Sequence, residues 1–120
     1  MTKRDFVRLL LGDTDGQRQR YGLTQQRFYD EEIDAALAET QGSVFEAAAL
    51  LWQATAASPA LLSLAFGVRV GDAIGMDRAA ERALSISKRL LELAAWRTEP
   101  AEPQTWAFDW QSYLDEVMIS

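Results

Sequence analysis

The chain has 120 residues, with 12 basic and 18 acidic side chains, a net charge of −6 and 48% apolar residues. That length suits one domain with a modest core, and the apolar share excludes wholesale disorder. The charge opposes binding to nucleic-acid phosphate, the absence of cysteine excludes a disulfide framework, and the absence of histidine removes the commonest general base.

Residues 2–11 predict a short helix, capped by Thr2, with Phe6, Leu9 and Leu10 on one face and Gly12 as its stop. The start is basic, but only three apolar residues separate Arg8 from Gly12, so neither a signal peptide nor a membrane span is expected. Residues 12–27 read as a polar loop. Asp13, Asp15 and Gly16 loosely suggest a calcium loop, but the twelve-residue ligand pattern is missing, and a turn rich in Asx and Gly is expected instead.

Asp30, Glu31 and Glu32 supply a cap and an acidic first turn for a helix over 30–41, with Ile33, Ala36, Leu37 and Thr40 inward. The four acids at 30, 31, 32 and 34 read as solvated charges at a helix start rather than a metal site. Gly42 ends that helix, and Ser43 with Glu46 forms the S-x-x-E signature of the next one. Residues 44–57 contain only three polar side chains, Glu46, Gln53 and Thr55. A helix this apolar needs cover on most sides. Either it is the centre of a small bundle, or a neighbouring subunit covers part of it, with Phe45 and Trp52 at the boundary.

Ser58-Pro59 ends the central helix. Residues 60–66 are ambiguous between a helical turn and extended chain. Over 66–75 the alternation of Val68, Arg69 and Val70 between glycines predicts a short β-hairpin or extended segment. No phosphate-binding glycine pattern occurs there. Asp77 then caps a long helix over 78–96, with Ala80, Ala83, Leu84, Ser87, Leu90, Leu91 and Ala94 inward. Ile86 and Leu93, a heptad apart, fall off that stripe and join Phe45 and Trp52 as candidates for a subunit interface. The basic residues of this helix are diluted by acids and read as a solvated face.

After Arg97 the chain carries five acids and no base, and so holds −5 of the net −6. Trp106, Phe108 and Trp110 alternate as on a strand, whereas Trp110, Tyr113, Leu114 and Val117 would share one helical face. Burying four aromatics roughly offsets the entropy of ordering such a tail, so it needs a surface to dock on. That surface is either its own bundle or a partner. The fold expected is mainly α: a small bundle of about four helices over 1–97, with the short β-hairpin or extended segment near 66–75, and an extended C-terminal docking arm over 98–120.

The order of elements carries a resemblance. LGD at 11–13 precedes YDEEIDAALAETQGSVFEAAALLWQA at 29–54, VRVGD at 68–72 and RAAERALSISKRLLEL at 78–93. This pattern resembles the small head–tail connector (adaptor) proteins of long-tailed double-stranded DNA bacteriophages, over about residues 2–95. The resemblance implies a non-enzymatic virion protein without cofactor or metal, assembled in the host cytoplasm into a ring of typically twelve copies. Such a ring sits beneath the portal protein, passes DNA through its channel without reading sequence, and receives a stopper or tail-completion protein. It further implies that Trp106, Phe108, Trp110, Tyr113 and Leu114 form a portal-docking arm. The competing expectation is a small helical regulatory binding module, monomeric or dimeric, acting as a protein–protein adaptor.

Overall fold

Capping chemistry written into the chain sets most of its helix boundaries. The computed structural model describes the backbone over residues 2–23, 25–96 and 103–119, and the side chains over 2–23, 25–95 and 110–118. Among these residues there are seven helices and no strand: α1 (Lys3–Leu11), α2 (Asp15–Tyr21), α3 (Asp30–Glu39), α4 (Val44–Ala56), α5 (Pro59–Phe66), α6 (Ala73–Trp96) and α7 (Pro103–Ile119). The mainly helical expectation therefore holds, while the count of about four helices and the hairpin near 66–75 are corrected.

The polar stretch 12–27 contains α2, a helix the apolar periodicity does not announce. Thr14 Oγ1 accepts from the Gln17 N–H at 3.2 Å, and Gln17 Oε1 accepts from the Thr14 N–H at 3.2 Å. That reciprocal cap satisfies two orphan donors at once. Gly22, with φ 71°, closes the other end.

The hairpin fails for a simple reason of length. Gly67, with φ 68°, terminates α5, and Asp72 Oδ1 already accepts the Gly75 N–H at 3.0 Å as the cap of α6. Only residues 67–72 remain between the helices, and a lone short hairpin without a partner sheet has little to hold it. A Cβ on Gly75 would lie 2.5 Å from Asp72 Oδ2 and 2.9 Å from Val68 Cγ1, so a side chain there would push the capping Asp72 aside. The long helix thus begins at Ala73, capped by Asp72 rather than Asp77.

The helix α4 is the centre. Val44, Phe45, Ala47, Ala48, Ala49, Leu51, Trp52 and Thr55 are all buried, against α1, α3, α5 and α6. Each large apolar side chain so buried contributes about 1.5–3 kcal/mol. Its cap is only half of the expected box. Ser43 Oγ accepts the Glu46 N–H at 3.3 Å, but the Ser43 N–H goes to Thr40 O at 3.3 Å. Trp52 donates from Nε1 to Leu10 O at 3.1 Å, which satisfies its polar edge in the core.

The spine of the molecule is α6. Its 24 residues span about 36 Å at 1.5 Å per residue, close to the longest molecular extent of 41 Å. Its rotation differs from the sequence expectation. Ala79, Ala83, Ile86, Ser87 and Leu90 face the core, whereas Leu84 and Leu91 face out. The alanine-rich wall of α4 explains this, because small residues on both sides let two helix axes approach closely.

The helix α7 returns to the bundle. Trp110 and Leu114 belong to the same buried cluster as Leu10, Leu11 and Ile33, with Tyr113 and Val117 packed against it. Of the two periodicities in the tail, the helical one is realised over Trp110–Val117.

Candidate functional site

Three constellations merit functional scrutiny: an arginine–aspartate network around Asp13, a polar latch between α2 and α7, and an apolar patch on α4 and α6.

Asp13 follows the left-handed end of α1 at Gly12 and is buried. Its carboxylate accepts from Arg8 Nη1 at 3.3 Å, from Arg18 Nη1 at 3.3 Å and from the Arg27 backbone N–H at 3.2 Å. Arg8 also reaches Asp30 at 2.7 Å, and Arg4 holds Asp34 at 2.6 Å. The hydrogen bond from Arg4 keeps the Asp34 carboxyl below its ordinary pKa. Both Asp13 oxygens are therefore occupied by donors of this chain, which makes the residue a tie between α1, α2 and the irregular segment before α3.

Arg27 lies behind this network, fully enclosed. Its Nη2 donates to Leu11 O, and its guanidinium sits 4.5 Å over the Trp52 ring. Burial pushes its pKa down to about 10, with Asp13 acting in the opposite direction. Cation–π contact supplies some of the solvation that water would otherwise give. A cleft of about 680 Å³ opens beside Asp13, walled by Arg8, Arg18, Tyr29 and Glu31. Among the described residues no three carboxylates are placed to hold a metal ion.

The latch joins elements far apart in sequence. Gln17 Nε2 donates to Gln111 Oε1 at 2.9 Å, and Gln111 Nε2 donates to Tyr21 Oη at 2.7 Å and Asp115 Oδ1 at 2.8 Å. Tyr21 Oη donates to Asp115 at 2.9 Å, and Arg20 meets the same carboxylate through Nε at 2.9 Å and Nη2 at 2.5 Å. Burial and then the Asp115 bond raise the Tyr21 pKa, so the phenol stays protonated. Burial works to raise the Asp115 pKa, but the bonds from Arg20, Gln111 and Tyr21 outweigh it and leave the carboxyl below its ordinary value. This is a structural clasp without a nucleophile or open position.

The third constellation is apolar. Leu84, Leu91 and Leu50 are 53%, 43% and 39% exposed. Gln53 Nε2 donates to Ser87 Oγ at 3.1 Å, and Ser87 Oγ donates to Ala49 O at 3.1 Å, pinning α4 to α6. Leu84 stands three residues before Ser87, Leu91 four after it, and Leu50 three before Gln53. Residues so spaced flank one another on a helix surface, so the three leucines surround this bond. Val70, in the turn before α6, and Ile74, in its first turn, are exposed as well.

The expected site residues fall differently. Phe45, Trp52 and Ile86 are buried inside the one chain, and Leu93 is partly buried against the same core. Fully enclosed side chains cannot meet a neighbour, so Phe45, Trp52 and Ile86 are corrected from interface to core. Trp110 and Leu114 are likewise core, and Tyr113 packs 5.1 Å from the Trp110 ring with Arg89 over its own ring at 5.7 Å. These three do not form an extended arm. The side chains of Trp106 and Phe108 lie outside the described residues. Sequence reasoning missed Leu84 and Leu91 as surface residues because it assigned them to the inner stripe.

No single described helix is long and apolar enough to cross a membrane. No family model, curated protein or solved structure matches the chain.

Proposed function

We propose that this chain is a structural, non-enzymatic subunit of a phage head–tail connector, one that packs beside copies of itself in a ring beneath the portal protein. The observation that carries the reading is the apolar patch of Leu50, Leu84 and Leu91 left on the surface of α4 and α6. Exposed leucines clustered on one face mark an interaction site, whereas scattered ones need no explanation. The order of the LGD, YDEEI, VRVGD and RAAERAL segments supplies the family context. Residues 1–97 carry no basic excess, which suits the wall of a channel through which DNA must slide, because a basic wall would hold phosphate.

In this reading the second half of α7 is committed to the subunit's own core, and the portal contact falls to the part that carries Trp106 and Phe108. The far face of the ring receives the stopper or tail-completion protein. Mass measurement of the purified chain, alone and mixed with portal rings, tests the proposal. Higher oligomers of one defined size are expected in the presence of portal. A chain that stays monomeric or dimeric with portal present would transfer the assignment to a small regulatory adaptor.

A further inference from the structure

The charges around the exposed leucines of α4 and α6 select the chemistry of what covers them. On α6 the outward stripe runs Asp77, Leu84, Lys88 and Leu91, with Glu81 and Glu92 beside Lys88 by the 100° step per residue. On α4, Glu46 stands one turn before Leu50. These four acids and the one lysine are all exposed, and none has an ion-pair partner among the described residues. No basic residue occurs in α4 or α5, and in the turn before α6 the exposed Arg69 and Asp72 cancel. The remaining bases of α6 lie about a third of a turn or more from the leucines. They face α7, where Arg89 covers the Tyr113 ring and Arg78 and Arg82 wall a hollow with Glu116 and Val117. The patch is thus apolar with a net acidic rim.

Its shape is that of a groove. The bonds from Gln53 to Ser87 and from Ser87 to Ala49 O hold α4 and α6 side by side. Leu50 forms one bank, and Leu84 and Leu91 form the other. Half-buried Ala80, one heptad before Ser87, continues the stripe between them. Two helices packed in this way leave a furrow in which a third helix can lie. Leu84 and Leu91 are two turns apart, about 10.5 Å, the repeat at which a docked amphipathic helix presents its own anchors.

Charge argues against a second copy as the occupant. That copy brings a net charge of −6, and its Arg4, Arg8, Arg18 and Arg20 are already held by aspartates. We propose that the groove of Leu50, Leu84 and Leu91 receives a basic amphipathic helix from a different protein. Its apolar anchors cover the leucines, and its Lys or Arg flanks meet Glu46, Asp77, Glu81 and Glu92, acids that this chain leaves unpaired. Lys88 is the one charge that opposes such a partner and so restricts where the partner's bases can stand. The inference rests on reading this patch as an interaction site. Within the connector reading, the helix belongs to one of the proteins that the ring meets, not to a neighbouring copy.

The test uses a synthetic amphipathic peptide of leucine and lysine, about four helical turns long, with its binding to the full chain read by fluorescence anisotropy. One control peptide has the same composition in an order without an apolar stripe, and another has glutamate in place of lysine. The wild type is expected to bind the leucine–lysine peptide and neither control. Leu84→Ser and Leu91→Ser each weaken binding by about tenfold, the loss of one covered leucine. Asp77→Asn with Glu81→Gln weakens it severalfold, and Lys88→Glu strengthens it severalfold. Glu31→Gln with Glu39→Gln, on the exposed side of α3, leaves it unchanged. Circular dichroism of each variant checks that these exposed substitutions leave the helices intact. Equal binding of the reordered peptide, or an equal loss in the α3 variant, overturns the inference in favour of unspecific charge attraction. A wild-type dimer that Leu84→Ser disperses overturns it in favour of a second copy. No peptide binding, with rings of one defined size still forming on portal, overturns the inference and leaves the connector reading standing. The expected peptide binding without any ring supports the inference and removes the connector reading.

Discussion

Leu114 is the residue on which the docking of α7 is best tested. Its side chain is wholly buried in the common cluster, and one methyl lies 3.5 Å from where a Cβ on Gly12 would sit. Truncation to alanine removes the transfer free energy of the lost atoms and leaves a cavity. Leucine-to-alanine changes in cores cost about 2–5 kcal/mol. The α7 helix packs on one side of the bundle and can partly settle into the space, so a value near the lower end, about 2–3 kcal/mol, is expected. For a chain of this length, that corresponds to a fall in Tm of roughly 8–12 °C. Urea unfolding followed by tryptophan fluorescence and circular dichroism measures it, with the exposed Glu116→Gln as a control that shifts stability by less than about 0.5 kcal/mol. If Leu114→Ala unfolds at the same urea concentration as wild type, α7 is not docked in the free chain. Trp110, Tyr113 and Leu114 would then return to the role of a partner-binding arm.

Two further outcomes follow from the polar networks. Asp13→Ala strips two part-buried guanidinium groups of a shared partner and should cost about 3 kcal/mol or more in urea unfolding. Millimolar calcium should leave the wild-type midpoint unmoved, and a rise with calcium would contradict the tie drawn here. Asp115 has a depressed pKa in the folded state, so its stabilisation is present above the ordinary carboxyl value near 4 and is lost as pH falls through the folded value. Wild type should therefore exceed Asp115→Asn in stability near neutral pH, with the gap closing in acid. A gap that stays constant from neutral to acid pH would show that the carboxylate charge contributes nothing to the clasp.

The sequence made the centre of the molecule plain and its edges obscure. Ser43, the alanine run and Gly42 located α4 correctly, because capping and apolar composition act locally and agree with the tertiary structure. The α2 helix escaped notice because it has almost no apolar face. Its stability comes from the Thr14–Gln17 cap and from bonds to Gln111 and Asp115, about 95 residues away. On α6, two leucine-bearing stripes are equally helical, one through Leu84 and Leu91 and one through Ile86 and Leu93. Periodicity gives the helix but not its phase. What sets the phase is the opposing surface of α4, whose alanines favour Ala79 and Ala83 as neighbours. The candidate interface was displaced for the same reason, since turning α6 sent Ile86 inward and Leu84 outward. Val68 and Val70 misled in the opposite way, because alternation over three residues is too short to outweigh two competing helix caps.

Gly12 has a consequence for how the chain folds. Its φ of 68° ends α1, and a side chain there would meet Met118 Sδ at 3.2 Å. The first helix is thus finished against the last, across a loop of about a hundred residues whose closure costs roughly 4 kcal/mol in entropy. A chain emerging from the ribosome can lay α4 over Leu10 by residue 56, but has nothing to place beside Gly12 until Leu114 and Met118 arrive. Such long-range closure slows folding and keeps an apolar flank open during synthesis. Position 12 therefore acts as the seam of the domain: it is drawn near the start of translation and sewn at residue 118.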